Sequence, residues 1–205
     1  MPREELRELQ LERMRESLRN AYENVPLYRE RFDAAGVTPD DLESLEDIAK
    51  FPFVVKQDMR DNYPFGMFAR ENADVARIHA SSGTTGQATV VGHTAKDLAN
   101  WGDCFARGIA MVGGDENSTI QVSYGYGLFT GGPGLNGGSH KVGCLTIPTS
   151  SGNTERQIMF ILDLHATILC CTPSYAAYIG ETMKEMGLTL PDDVAQTAEE
   201  VGPTA

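Results

Sequence analysis

The sequence predicts an α/β fold: an N-terminal helical segment followed by a mainly parallel sheet with helices on its faces. Two observations carry this. The first third is charged, punctuated by prolines, and spaces its apolar residues at helical intervals. Beyond residue 94, short apolar stretches alternate with longer amphipathic ones. Those short stretches lack polar alternation, as strands do when both faces are covered, the usual state of a parallel sheet with crossover helices. With 205 residues, 41% of them hydrophobic, the chain is large enough to bury a core.

The elements follow in order. From Glu4 to about Asn24, Leu6, Leu9, Met14 and Leu18 recur at helical spacing. Pro26 ends this helix, because the residue before a proline is driven to extended backbone. A second helix is expected over Leu27–Ala35, with Gly36 as its left-handed cap. "TPDDLESLEDIAKFP" and "VVKQDMRDNYP" read as short acidic helices between prolines. "RIHAS" and "ATVVGH" are strands flanking a Ser/Thr/Gly loop. Thr94 is placed to cap a helix over Ala95–Met111, with Leu98, Trp101, Phe105 and Ile109 on one face. "STIQVSY" is a strand by its β-branched content, and a glycine-dense loop from Gly125 to Gly138 follows it. "GCLTIP" and "ATILCC" are further strands, with a helix between them from about Thr154 to Leu164. Pro173 suits the first turn of a helix over Ser174–Met186. The expected divisions are a helical segment 1–76, an α/β part 77–190, and an acidic, frayed tail 191–205.

Several function classes are excluded at this level. The net charge of −12, from 29 acidic against 17 basic residues, argues against a nucleic-acid partner. The start "MPREELRELQ" has no apolar signal core, and no run of ~18 apolar residues would cross a membrane. Cys104, Cys144, Cys170 and Cys171 form no C-x-x-C pair and read as reduced core thiols of a cytoplasmic protein.

Ser81-Ser82-Gly83-Thr84-Thr85-Gly86 offers only hydroxyls and glycines. Glycines let successive backbone N–H groups converge on one point, and such a nest holds an anion. The hydroxyls add further donors. The loop is not a Walker A motif, because the chain contains no Gly-Lys pair. An exposed hairpin turn accounts for the same composition.

Tyr124, Tyr126, Phe129 and Gly131 form a second constellation. Aromatic faces among glycines suit a flat apolar guest, although the rings would equally fill a core. Gly132-Pro133-Gly134-Leu135-Asn136-Gly137 matches G-x-G-x-x-G, but it lies well beyond the strand and is not expected to bind a dinucleotide. His79 is expected to be structural, and His93 ends its strand beside the hydroxyl loop. His140 and Lys141 read as surface residues. Asp58, Arg60 and Asp61 are read as solvation or capping, and Asn153 or Thr154 as a helix N-cap.

Six stretches together resemble the adenylate-forming superfamily: "NVPLYRERFDAAGV", "FPFVVKQDMRDNYPFG", "ARIHASSGTTG", "VSYGYGLFTGG", "SGNTERQ" and "CTPSYAAYI". Within it the sequence is similar to the phenylacetate–coenzyme A ligases, from Tyr22 to about Leu190. The resemblance implies a two-step, AMP-forming acid–thiol ligation using ATP, Mg and coenzyme A. It implies that Ser81, Ser82, Gly83, Thr84, Thr85 and Gly86 hold the β- and γ-phosphates. It further implies that Tyr124, Tyr126, Phe129 and Gly131 line a pocket for an aromatic carboxylic acid. Where the family usually continues Gly-Lys-Pro, this chain has Gln87 and Ala88 after Gly86, exchanging a cation for a neutral donor.

Family members continue for about as long again, with the adenine, magnesium and ribose segments and a mobile domain carrying the catalytic lysine. The chain is therefore expected to act as a truncated form, inactive alone. Its incomplete sheet is expected to associate as a homo-oligomer or through an exposed edge. A non-catalytic remnant that binds the acid or a nucleotide, and a nicotinamide-dependent oxidoreductase, are the alternatives.

Overall fold

The computed structural model describes residues 1–81 and 88–190. The chain divides into two compact units, Met1–Thr94 and Ala95–Ala205.

The first unit opens with helices α1 (Arg3–Asn24) and α2 (Pro26–Ala35). Val25 between them is extended and Gly36 closes α2 at φ 68°, as proline and glycine at those positions dictate. The apolar stripe of α1 that packs is Leu11, Met14, Leu18 and Tyr22, set against Phe32, Leu42 and Phe51. Leu6 lies outside this stripe and is exposed. Phe32 is the centre, stacked on Tyr22 and edge-on to Tyr28 and Phe51.

The acidic stretches fold as 3-10 helices, Pro39–Asp41 and Leu45–Lys50. Each is fastened by an aspartate: Asp41 accepts from the Thr38 N–H at 2.6 Å, and Asp47 from the Ser44 N–H at 2.7 Å. Helix α3 (Lys56–Asp61) begins where Asp58 accepts from the Val55 N–H at 2.7 Å and from Arg31 Nη2 at 2.5 Å. Asp58 is thus a capping residue, one of the two readings open to it. Strands β1 (Val75–Ala80) and β2 (Val90–Thr94) close the unit as an antiparallel hairpin, with Ala80 opposite Val90.

The second unit has three layers. Its sheet has the order β4-β3-β5, all parallel: β3 (Thr119–Val122), β4 (Leu145–Ile147) and β5 (Ile168–Cys170). Period-two alternation divides the side chains between its faces. Ile120, Val122, Ile168 and Cys170 meet α4 (Ala95–Met111) and α5 (Gly131–Val142). Ile147 and Leu169 meet α6 (Thr154–Asp163) and α7 (Pro173–Glu185). The α/β class and the parallel sheet are as predicted.

Two expectations are corrected. The glycine-dense stretch is a loop only at its start; from Gly131 it is helix α5. Its glycines admit a neighbouring helix: a Cβ on Gly134 would lie 2.3 Å from the Phe105 ring, and one on Gly138 would lie 2.8 Å from the Phe105 carbonyl carbon. The cysteines are not all in the core either. Cys144 is buried, but Cys104 is exposed on the outer face of α4.

Candidate functional site

The residues singled out in the sequence fall at two places, one in each unit. In the first, the Ser81 N–H donates to the Thr89 carbonyl at 3.0 Å, and the Thr89 N–H donates to Ser81 Oγ at 3.0 Å. This reciprocal pair clasps the base of the hydroxyl-rich loop. Thr89 Oγ1 is buried there without a hydrogen-bond partner among the described residues. Ser82, Gly83, Thr84, Thr85, Gly86 and Gln87 lie outside the described residues. Nearby, His79 is buried and meets His93 edge-on with ring centroids 5.4 Å apart, so both pack within the hairpin.

In the second unit, the sheet's topology creates a crevice. The connection leaving β3 leads to α5 on one face, while that leaving the adjacent β4 leads to α6 on the other. Two neighbouring strands whose exits part to opposite faces leave an opening at their C-terminal ends, where open α/β sheets bind ligands. Tyr124 and Gly125 form one lip and the Pro148–Asn153 turn the other. A Cβ on Gly125 would lie 4.0 Å from Ser151 Oγ.

Tyr124, Tyr126 and Gly131 come together on the first lip. A Cβ on Gly131 would lie 3.1 Å from the Tyr124 ring. Tyr126 donates from its hydroxyl to Asn136 Oδ1 at 3.3 Å, and burial pushes its pKa up to about 12. Both tyrosines pack against the Ile120–Val122 core, so they are held rigidly. Phe129 does not join them: it is 61% exposed, beside an exposed Leu128. Gly132–Gly137 lies inside α5, so the G-x-G-x-x-G string is not a dinucleotide loop, as its distance from the strand implied.

Sequence reasoning missed the residues that build the second lip. Gln157, on the inner face of α6, is 2% exposed. Its Nε2 donates to the carbonyls of Ser150 at 3.2 Å and Gly152 at 2.7 Å. These bonds hold a turn in which Ser150, Gly152 and Asn153 all have positive φ, at 63°, 90° and 49°. Such backbone persists only where its surroundings over-determine it. Gln121, fully buried on β3, donates from Nε2 to the Gln157 carbonyl at 3.2 Å. Thr149 Oγ1 donates to the Val122 carbonyl at 3.1 Å. The signal was present: a glutamine inside the apolar strand "TIQV", and another among the apolar positions of α6. Asn153 caps α6 as expected, accepting from the Arg156 N–H at 3.2 Å.

A cleft of about 430 Å³ lies between the end of β4 and α6, walled by Ile147, Pro148 and Phe160 and by Thr149, Asn153 and Arg156. Arg156 lies over the Phe160 ring, 5.1 Å from its centroid. The shielded thiols, Cys144 buried and Cys170 and Cys171 half-buried, are held protonated: desolvation pushes Cys170 up to about 11 and also raises Cys144 and Cys171. Among the described residues, no group of His, Cys, Asp and Glu is arranged to hold a metal ion, and no helix is long and apolar enough to cross a membrane.

No protein-family model matches the chain. It is 54% identical over 199 residues to a phenylacetate-coenzyme A ligase of Aromatoleum evansii, covering 97% of this chain and 44% of that protein. It is 52% identical over 183 residues to the enzyme of the same name from Pseudomonas putida, covering 89% and 42%. Its fold matches a crystal structure of 2-hydroxyisobutyryl-CoA ligase in complex with 2-HIB-AMP and CoA, with a TM-score of 0.86 and 28% identity, over 92% of this chain and 41% of that one. An open conformation of that ligase matches with a TM-score of 0.84. The fold is thus that of an N-terminal part of the adenylate-forming acyl–CoA ligases. Within that class the relatives it matches in sequence are phenylacetate–coenzyme A ligases. It spans less than half the length of the relatives it matches.

Proposed function

We propose that the chain supplies the acid-binding and triphosphate-binding parts of an AMP-forming ligase that converts phenylacetate, ATP and coenzyme A into phenylacetyl-CoA, AMP and pyrophosphate. The observation that carries this is the crevice where β3 and β4 part, lipped by Tyr124 and Tyr126 in a chain 54% identical to a phenylacetate-coenzyme A ligase. The ring of the acid rests against Tyr124, Tyr126 and Gly131. A carboxylate oxygen attacks the α-phosphorus of ATP, and the bond to the β-phosphate breaks, releasing pyrophosphate. The thiol of coenzyme A then attacks the acyl carbon, AMP leaves, and the thiol proton passes to solvent.

Ser81 to Gly86 receive the β- and γ-phosphates. The clasp between Ser81 and Thr89 supports this by tying Ser81 to Thr89, and the Thr89 hydroxyl, without a partner among the described residues, leaves a donor beside it. Mg accompanies the nucleotide, but the described residues offer no acidic cluster for it, and no step is assigned to it.

The 205-residue chain is expected to bind ATP and phenylacetate separately, without completing adenylation. Isothermal titration with each ligand tests the binding, and pyrophosphate exchange tests the chemistry. Tyr124→Ala should abolish phenylacetate binding and leave ATP binding intact. Heat on titration with NADH but not ATP, or binding of neither ligand, would overturn the reading. Robust exchange with phenylacetate would overturn the inactivity. We also infer self-association through the sheet's outer strands, where Leu145 on β4 is 64% exposed; a clean monomer on size-exclusion chromatography contradicts this.

A further inference from the structure

One buried amide ties the two lips of the crevice together. Ser150, Gly152 and Asn153 take left-handed backbone, and two of the three are not glycine, so the second lip needs a hold from outside itself. Gln157 of α6, 2% exposed, supplies it. Both protons of its Nε2 are used, on the Ser150 carbonyl at 3.2 Å and the Gly152 carbonyl at 2.7 Å. Its Oε1 lies 3.3 Å from Thr149 Oγ1 and 3.5 Å from Gln121 Nε2, which comes from β3. The turn is fastened to the end of the same strand, because the Ser150 N–H and the Thr149 hydroxyl both reach the Val122 carbonyl at 3.1 Å. Two residues beyond Val122 stands Tyr124, the start of the first lip. The mouth between the lips is narrow, since a Cβ on Gly125 would lie 4.0 Å from Ser151 Oγ. A small displacement of the turn therefore changes the opening by a large fraction.

We infer that Gln157 is a positioning residue for the acid: acting through the turn, it sets how far the second lip stands from Tyr124 and Gly125. The inference rests on the acid site proposed above and adds to it a residue outside the ring's contacts. The chemistry of the side chain explains the choice of glutamine. A neutral amide offers two donors and an acceptor at once, and this place uses all three. Leucine would fill the same space and donate nothing. Glutamate would face two carbonyl oxygens with one proton at most. Binding is tighter where a site is held in its bound shape beforehand, so releasing the turn should weaken the acid.

The test is isothermal titration of the 205-residue chain with phenylacetate and with ATP, in the parent and three variants. Gln157→Leu should weaken phenylacetate about tenfold, the scale of one lost hydrogen-bonded constraint, and leave the ATP affinity unchanged. Ile179→Val trims a buried residue of α7 without reaching the turn. It should lower the melting temperature and leave both affinities alone, which separates positioning from stability. Gln157→Glu adds a signature in pH. Burial and the two facing carbonyls raise the pKa of the new carboxyl. Below that pKa the protonated group can still donate to one carbonyl; above it neither carbonyl is met. Phenylacetate should therefore bind this variant more weakly as the pH rises from about 6 to about 9, and more steeply so than it does the parent. If Gln157→Leu does not fold, the Gln157→Glu profile decides alone. A folded Gln157→Leu that binds phenylacetate as tightly as the parent, a Gln157→Glu profile parallel to the parent's, or an equal loss in Ile179→Val would overturn the inference and leave the proposed function standing. A parent that binds ATP but no phenylacetate would overturn the acid site and this inference with it.

Discussion

Gly138 of α5 lies so close to Phe105 of α4 that a Cβ built on it would sit 2.4 Å from the Phe105 Cβ and 2.9 Å from the Ala106 nitrogen. The nitrogen is main chain and the Cβ is fixed directly to the main chain, so neither can swing aside. Gly138→Ala should therefore destabilise the fold by roughly 1–3 kcal/mol, the cost of overpacking, although alanine is the better helix former. Gly108 on α4 provides the contrast, since a Cβ there meets nothing within 4 Å. Gly108→Ala should stabilise by about 0.5–1 kcal/mol. Urea denaturation of the two variants measures both signs, and a neutral Gly138→Ala would mean the helices are not in contact.

Gln157→Leu removes the donor that satisfies two carbonyls of a left-handed turn and the acceptor that Gln121 meets. Each buried group left unpaired costs about 1–3 kcal/mol, so a loss of roughly 2–4 kcal/mol is expected. Gln121 Oε1 has no hydrogen-bond partner among the described residues, so Gln121→Met should cost less than Gln157→Leu. Thermal melts order the two; the reverse order would place the weight of the network on β3.

Cys104 should be the single thiol that reacts quickly in the native chain, because it alone is exposed. Cys144, Cys170 and Cys171 are shielded and their thiols are held protonated by burial, Cys170 at about 11. A thiol-reactive dye at pH 8 should count one fast group in buffer and all four in denaturant. Fast labelling of Cys170 would show that the sheet opens.

Asp58 links acid to stability. The Val55 N–H, against the opposing cost of burial, and then Arg31 hold its carboxyl below the usual value of 3.8. A carboxyl whose pKa is lower folded than unfolded stabilises above the unfolded pKa, and that stability is lost as pH falls through the folded one. The urea midpoint should therefore drop below about pH 4. Asp58→Asn should lower the midpoint at pH 7 and shrink the drop on acidification. Asp41, Asp47 and Asp115, depressed by their own hydrogen bonds, leave part of the drop in place. An Asp58→Asn midpoint equal to the parent's at pH 7 would contradict this.

Local chemistry alone was enough for much of this chain. Pro26 and Gly36 bound α2, Ala95–Met111 is a helix with its predicted face inward, Pro173 opens α7, and Asn153 caps α6. Each of these follows from the backbone preferences of one or two residues or from a periodic apolar stripe, so neighbours in sequence suffice to read it. Tertiary structure decided the rest. Glycines at 131, 132, 134, 137 and 138 disfavour a helix by up to about 1 kcal/mol each, yet α5 forms because the bare Gly134, Gly137 and Gly138 let α4 approach and the bare Gly131 and Gly132 let the Tyr124–Tyr126 segment approach. Phe129 reads like Tyr124 and Tyr126 but stays outside, since only the tyrosines reach the core beneath. The Gln121–Gln157 pairing spans 36 positions and exists only because β3 and α6 are brought face to face. A single side chain's preference is written in the sequence, whereas the partner that satisfies it is chosen by the packing of elements far apart along the chain.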